Sequence, residues 1–208
     1  MNYLLEIDRL ANRYFVMRHG HSLANELGII VSHPENGCAG YGLSELGRSQ
    51  VQQSLQRVSG LDMQTLIISS DFQRARESAG IAHSMLGCAQ QVSLEARLRE
   101  RDFGEFELLS DSSYTEIWRA DVIDPDNRWR GVESVNQVTR RVTSVILELE
   151  HQFTGLSVLL VSHGDALQIL QTAFARQAAA SHRELDHLHT AEIRQLVLAP
   201  GGSAAADT

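Results

Sequence analysis

Little in this chain points to a secreted or membrane-spanning protein. Only two cysteines, Cys38 and Cys88, occur in 208 residues, too few for a disulfide framework at this size. Two free thiols in a reducing cytoplasm are expected. No apolar run approaches the roughly 18 residues of a spanning helix. The opening "MNYLLEIDRLANRY" breaks its apolar positions with Glu6, Asp8 and Arg9 and ends in no small-residue cleavage site. It reads as an amphipathic lead-in that packs on the domain, not as a secretory signal. Positive charge is also short: the net charge is −8, which excludes the broad basic face of a general nucleic-acid binder while permitting a local cationic pocket. There are no repeats. Only the end, "PGGSAAADT", lacks periodicity altogether, and residues 200–208 are expected to be a disordered tail behind one domain spanning 1–199.

What is present is a globular pattern, 43% apolar and 21% charged, long enough to bury a substantial core. Short apolar runs at Tyr14–Met17, Leu66–Ile68, Val158–Val161 and Leu196–Leu198 alternate little, as in strands covered on both faces. Helical patterns lie between them. "LSELGRSQVQQSLQRV" offers Leu43, Leu46, Val51, Leu55 and Val58 with Ser44 as N-cap. "FQRARESAGIAHSMLG" stops at Gly87, and "ESVNQVTRRVTSVILELEHQF" carries Val135, Val138, Val142, Val145, Ile146 and Leu149 on one side. "DALQILQTAFARQ" begins with Asp165, favourable at a helix N-terminus. Strands separated by helices imply right-handed crossovers and an α/β fold, a three-layer sandwich around a mainly parallel sheet.

Ligands of such sheets lie beyond the carboxyl ends of the strands. Arg18, His19 and His21 follow the first strand, "SSDFQR" with Arg74 the second, and His163 and Gly164 a later one. Two guanidiniums and several imidazoles on one rim repel one another unless an anion lies between them. Arginine forks match phosphate oxygens, and imidazole serves as donor or nucleophile. Helix N-termini after Ser70 and His163 add backbone N–H groups. A phosphoryl group is therefore the expected ligand. Other routes to phosphate chemistry are missing. There is no GxxxxGK loop ending in Ser or Thr, neither cysteine is followed by arginine six positions on, and "DPDNRW" reads as a turn. Histidine remains as the candidate for covalent catalysis.

Taken in order, "MRHGHS" with Asn25, "SSDFQRARESA", "LRERDFGEF", "GVES" with its following "RV", and "VSHGD" resemble the motif series of the histidine phosphatase superfamily, in its phosphoglycerate-mutase-like branch. The resemblance runs from about Tyr14 to Ala173. It implies that His19 is a nucleophile forming a phosphohistidine, and that Arg18, Arg74 and His163 hold the non-bridging oxygens. Glu100 matches the acid/base position, and Asn25 a further phosphate contact. It implies no metal and no cofactor, a small phosphorylated substrate as partner, and either hydrolysis, mutase-type transfer, or a pocket that binds without turnover. The chain lacks the longer basic insertion and the tryptophan-containing pattern after Leu23 of the true mutases, which favours hydrolysis.

Four further expectations concern residues around this series. His21 departs from the commoner Glu or Gln, and either reaches the pocket rim or makes a structural hydrogen bond. A metal site from His19, His21, His163 and Asp165 is disfavoured because Arg18 and Arg74 would repel the cation. His182, Asp186 and His189, at steps of four and three, read as a polar helix face. Trp118 and Trp129 are expected to pack in the core or in a lid over the pocket, and one of Arg119, Arg128 and Arg130 is expected to face the substrate. A homodimer is open.

Overall fold

The strands form because β-branched and leucine-rich runs bury both faces. In the computed structural model, which describes residues 1–201, β1 (Arg13–Arg18), β2 (Leu66–Ser69), β3 (Ser93–Leu94), β4 (Ser157–Ser162) and β5 (Ile193–Leu196) make one sheet ordered β3-β2-β4-β1-β5. Every pairing is parallel except that of β5 with β1. The helices are α1 (Leu23–Leu27), α2 (Pro34–Gly37), α3 (Glu45–Arg57), α4 (Gln73–Leu86), α5 (Tyr114–Ile123), α6 (Val135–Gln152) and α7 (Gly164–Phe174).

Strand residues alternate between two cores, which is what makes the sandwich three-layered. Tyr14, Val16, Leu66, Ile68, Val158 and Leu160 pack with α6 and α7. Phe15, Met17, Ile67, Leu159 and Val161 pack with α3 and α4. All six apolar residues expected on the inner side of α6 are buried. Each such Val, Ile or Leu contributes about 1.5–3 kcal/mol relative to exposure. Ser134 and Gln137 close a capping box at the start of α6. Ser44 caps α3 by accepting from the Gly47 N–H, and Gly87 ends α4 at φ 64°.

Three sequence expectations shift. Leu46 is 55% exposed; the inner row of α3 runs Leu43, Gly47, Val51, Leu55. Gly47 is there because α3 crosses the end of β1: a Cβ on Gly47 would overlap the carbonyl of His21, and one on Gly20 that of Gly47. The last strand is Ile193–Leu196 rather than Leu196–Leu198, and Val197 is 76% exposed. Its register is set by antiparallel pairing on β1, which ends at Tyr14 opposite Leu196, and as an edge strand it is covered on one side only. β3 was not expected because both its residues are exposed. The expected tail lies, from residue 202 on, outside the described residues.

The register brings the ends of β1 and β4 level, Arg18 opposite Ser162, with Ser69 of β2 opposite Val161. Above that edge, Ile30, Phe103, Phe106, Ile117 and Val132 form a separate small core. It carries the segment 103–132 as a cover.

Candidate active site

His19 leaves the end of β1 with its backbone N–H on the Ser162 carbonyl (3.0 Å). Its Nδ1 lies 2.7 Å from the Gly20 carbonyl. A carbonyl only accepts, so Nδ1 carries the hydrogen, and Nε2 is left with a lone pair. Arg74, in the first turn of α4, donates from Nε to that lone pair at 3.0 Å. Burial, then the charges of Arg74 and Arg18, hold the His19 pKa well below that of a free imidazole. The ring is therefore neutral and nucleophilic at ordinary pH.

His163, fully buried, is the N-cap residue of α7. Its Nε2 meets Ser70 Oγ at 2.8 Å. Ser70 Oγ also accepts from the Phe72 N–H; with the Ser70 hydrogen given to Nε2, the ring hydrogen lies on Nδ1. Burial first, then Arg74 and His19, lower the His163 pKa as well. The rings of His19 and His163 stand edge to face, 5.2 Å between centroids.

The guanidiniums are fixed from behind. Arg18 donates from Nη1 to the Leu188 carbonyl (3.0 Å) and to His187 Nε2 (2.8 Å). Arg74 donates from Nη2 to the Val31 carbonyl (2.8 Å). Burial lowers both pKa values, that of Arg74 to about 10, which leaves each charged at neutral pH. Among the described residues, six buried side-chain polar atoms lack a hydrogen-bond partner. Three of them are Arg18 Nε, Arg74 Nη1 and His163 Nδ1. Buried donors left unmatched are costly, and here they concentrate around one imidazole.

Beside this floor opens a cavity of about 250 Å³. Arg18, Asn25, Glu100 and Gly164 line it together with Ile29, Phe103, Tyr114, Trp118, Asp111, Asp165, Arg183 and His187. Glu100 Oε1 accepts from the backbone N–H groups of Arg101 (3.0 Å) and Ala166 (3.1 Å). Burial, and next the charge of Asp165, raise the Glu100 pKa above that of an ordinary glutamate. Asn25 spends its Oδ1 on the Ser22 cap of α1, and its amide N–H groups have no partner among the described residues. Gly164 opens α7 against the Arg18 guanidinium; a Cβ there would lie 3.5 Å from Arg18 Cζ.

All seven residues singled out from the sequence thus gather at one rim. His19 and Arg74 (each 4% exposed) and His163 form its floor, beneath the cavity rather than on its wall. Others do not gather. His21 turns to Ser44 Oγ (3.0 Å) and takes the structural role. With Asp165 engaged by Trp118, Arg101 and Arg183, the set His19, His21, His163 and Asp165 does not converge. Arg119, Arg128 and Arg130 do not line the cavity. Arg130 pairs with Glu105 and lies over Phe106. Besides Arg18, the arginine that lines the cavity is Arg183, seated on Trp118 at 3.7 Å. His182, Asp186 and His189 form no helix face, because only a short turn at Ala179–Ser181 precedes them, and His182 is buried against Asp121 (3.9 Å). Sequence reading missed Arg183 and His187. Their one signal was charge within "SHRELDHLH".

Known proteins resemble this chain in sequence and fold. The family model of the histidine phosphatase superfamily, branch 1, matches residues 14–207. The probable phosphoglycerate mutase GpmB of Photorhabdus laumondii is 33% identical over 176 residues, covering 82% of this chain and 78% of its own. That of Salmonella choleraesuis is 31% identical over the same shares. Among solved structures, a mycobacterial glucosyl-3-phosphoglycerate phosphatase superposes with a TM-score of 0.70 at 26% identity, covering 88% of each chain. An Escherichia coli protein described as a putative α-ribazole-5′-P phosphatase, at 22% identity and a TM-score of 0.70 over 89% of this chain and 90% of its own, shares the fold. The chain belongs to the histidine phosphatase superfamily.

Proposed function

We propose that the protein is a phosphomonoesterase that hydrolyses a small phosphorylated metabolite through a phosphohistidine on His19. The observation that carries this reading is the set of three unmatched buried donors, Arg18 Nε, Arg74 Nη1 and His163 Nδ1, around an imidazole whose Nε2 bears a lone pair. A tetrahedral oxyanion satisfies all three and places its phosphorus before Nε2. Because Arg74 Nε sits on that lone pair, the incoming anion must first draw the guanidinium off it.

The steps balance as follows. Nε2 attacks phosphorus, the bond to the leaving oxygen breaks, and protonated Glu100 delivers its hydrogen to that oxygen. The resulting carboxylate takes a proton from water as the water oxygen bonds to phosphorus. The P–Nε2 bond then breaks, phosphate leaves and Glu100 is protonated again. Arg18, Arg74 and His163 stabilise the charge on the non-bridging oxygens, with Asn25 and the Gly164 N–H as further donors. Positive charge is supplied by side chains, so the reading calls on no metal. A cavity of about 250 Å³ suits a metabolite rather than a protein segment.

Phosphoryl return to a bound intermediate uses the same centre, and the relatives named phosphoglycerate mutases favour it as the second reading. Acid-sensitive phosphoenzyme with stoichiometric release of inorganic phosphate from a small phosphomonoester supports hydrolysis. Isomerised product without phosphate release rejects it.

A further inference from the structure

One buried carboxylate beside the site has no part in the steps above and gathers donors from three segments remote in sequence. Asp165, in the first turn of α7, is 4% exposed. The Trp118 indole on α5 donates to both its oxygens at 3.1 Å. Arg101, directly after Glu100, donates from Nη1 at 3.3 Å, and Arg183 from the C-terminal segment reaches it at 3.5 Å. Arg101 itself is fully buried and bidentate to Asp121 on α5, at 2.6 and 2.7 Å. Trp118 is clasped between Tyr114, stacked at 5.2 Å, and Arg183. Cover, acid loop and C-terminal segment thus meet on Asp165.

The charges in this cluster nearly cancel. Arg101 and Arg183 offset Asp121 and Asp165, while buried His182, its pKa lowered mainly by burial, stays neutral. Glu100 stands next to Asp165 as one carboxylate more than the cluster can neutralise. The groups facing Glu100 are Arg18 from β1, Arg74 from α4, Tyr114 from α5 and Asp165 from α7. Arg141 of α6 touches only its backbone carbonyl and is paired with Glu133. Asp165 itself is faced by Arg18, Arg101, Tyr114, Trp118, His182, Arg183 and His187. Of the groups facing Glu100, only Asp165 is negative at neutral pH, since the Tyr114 hydroxyl is pushed far up, mainly by burial.

We propose that Asp165 is a positioning residue: it clamps the cover onto the phosphate floor and, through its charge beside Glu100, keeps that carboxyl in the proton-donating form. This rests on the assignment of Glu100 as the acid. Removing the negative charge of Asp165 makes Glu100 a stronger acid, whereas removing Arg183, which reaches Asp165 at 3.5 Å, leaves the Asp165 charge less offset and makes Glu100 a weaker one. The two changes therefore move the alkaline limb of the pH–rate profile in opposite directions.

The test measures kcat/KM against pH for an alkyl phosphate, whose leaving group needs a proton, and for p-nitrophenyl phosphate, whose leaving group does not. Wild type is compared with Asp165→Asn, Arg183→Gln and Glu100→Gln. In Asp165→Asn the alkyl phosphate limb should move about one unit toward acid, costing about tenfold at neutral pH, with p-nitrophenyl phosphate much less affected. Arg183 keeps 24% of its side chain exposed where Asp165 keeps 3%, so Arg183→Gln reports even if Asp165→Asn folds poorly, and its limb should move toward alkali. A limb unmoved in Arg183→Gln, or equal losses on both substrates in Asp165→Asn with the limb in place, overturns the proposal and leaves Glu100 as the acid. A wild-type limb that survives in Glu100→Gln removes Glu100 from the acid role and the proposal with it.

Discussion

The floor and the cover of this site are built by opposite means. The floor stands on the ends of parallel strands; His19, Arg74 and His163 are buried and Arg18 is half-buried, with donors left over on Arg18, Arg74 and His163. The cover, residues 103–132 with the segment around Arg183, has no strand of the sheet beneath it. It is held by stacked aromatics and by the buried pair of Arg101 with Asp121 and Asp165. In the floor three buried donors are left unmatched, whereas the buried charges that tie down the cover, Arg101, Asp121 and Asp165, are paired with one another. The chain has no lysine, so all 18 basic residues are arginines. The same side chain therefore serves as the proposed anion clamp in one region and as a structural tie in the other.

The sharpest break between the regions is His19→Ala. It should lower turnover by at least about a thousandfold on any phosphomonoester, with thermal unfolding little changed. Residual turnover near wild type would deny the floor its chemistry. On the cover side, Arg101→Met strands two buried carboxylates and should cost about 3–5 kcal/mol in denaturant unfolding. The exposed pair broken by Arg130→Ala should cost no more than about 1 kcal/mol. Equal costs would mean that the buried network does not hold the cover. Glu100→Gln, where the regions meet, should slow an alkyl phosphate about a hundredfold and p-nitrophenyl phosphate far less. An equal loss on both takes Glu100 out of proton transfer. Outside both regions, Ser134→Ala removes the α6 cap and should cost about 1 kcal/mol with activity intact.

A final contrast needs no substitution. The floor histidines His19 and His163 have depressed pKa values. Below about 6.5, the ordinary histidine value, the unfolded chain binds protons that the native floor refuses. Their contribution to stability is thus present above that pH and lost as pH falls below it. Denaturant midpoints measured from pH 7.5 down to 5.5 should fall, since the two histidines outweigh the single raised carboxyl of Glu100, and a rise would mean that the site as a whole takes up protons on folding.

How legible each region was follows from the same difference. Strand ends are marked by apolar runs that stop, so the groups after Met17, Ile68 and Val161 could be collected before any coordinates. Likewise α6 showed its buried side because the 3.6-residue period of its valines is undisturbed. The cover carries no such period. Its short helices are placed by Phe103, Phe106 and Ile117 packing together across sequence gaps, and by Arg101 reaching Asp121, contacts that no local pattern announces. Hence Arg183 was passed over in favour of Arg119, Arg128 and Arg130, and His182 was read as a surface residue although it is buried. The edge strand begins three residues and ends two residues earlier than its apolar run, because its register is decided by Tyr14 and Met17 on its neighbour.

The central claim is that Arg18, Arg74 and His163 surround a tetrahedral anion whose central atom faces His19 Nε2. A crystal structure with orthovanadate tests it most directly. The account predicts vanadium within bonding distance of His19 Nε2, with oxygens on Arg18 Nε, Arg74 Nη1 and His163 Nδ1 and the Arg74 guanidinium turned off the imidazole. Vanadate bound elsewhere in the cavity, with Arg74 Nε still donating to His19, would contradict it.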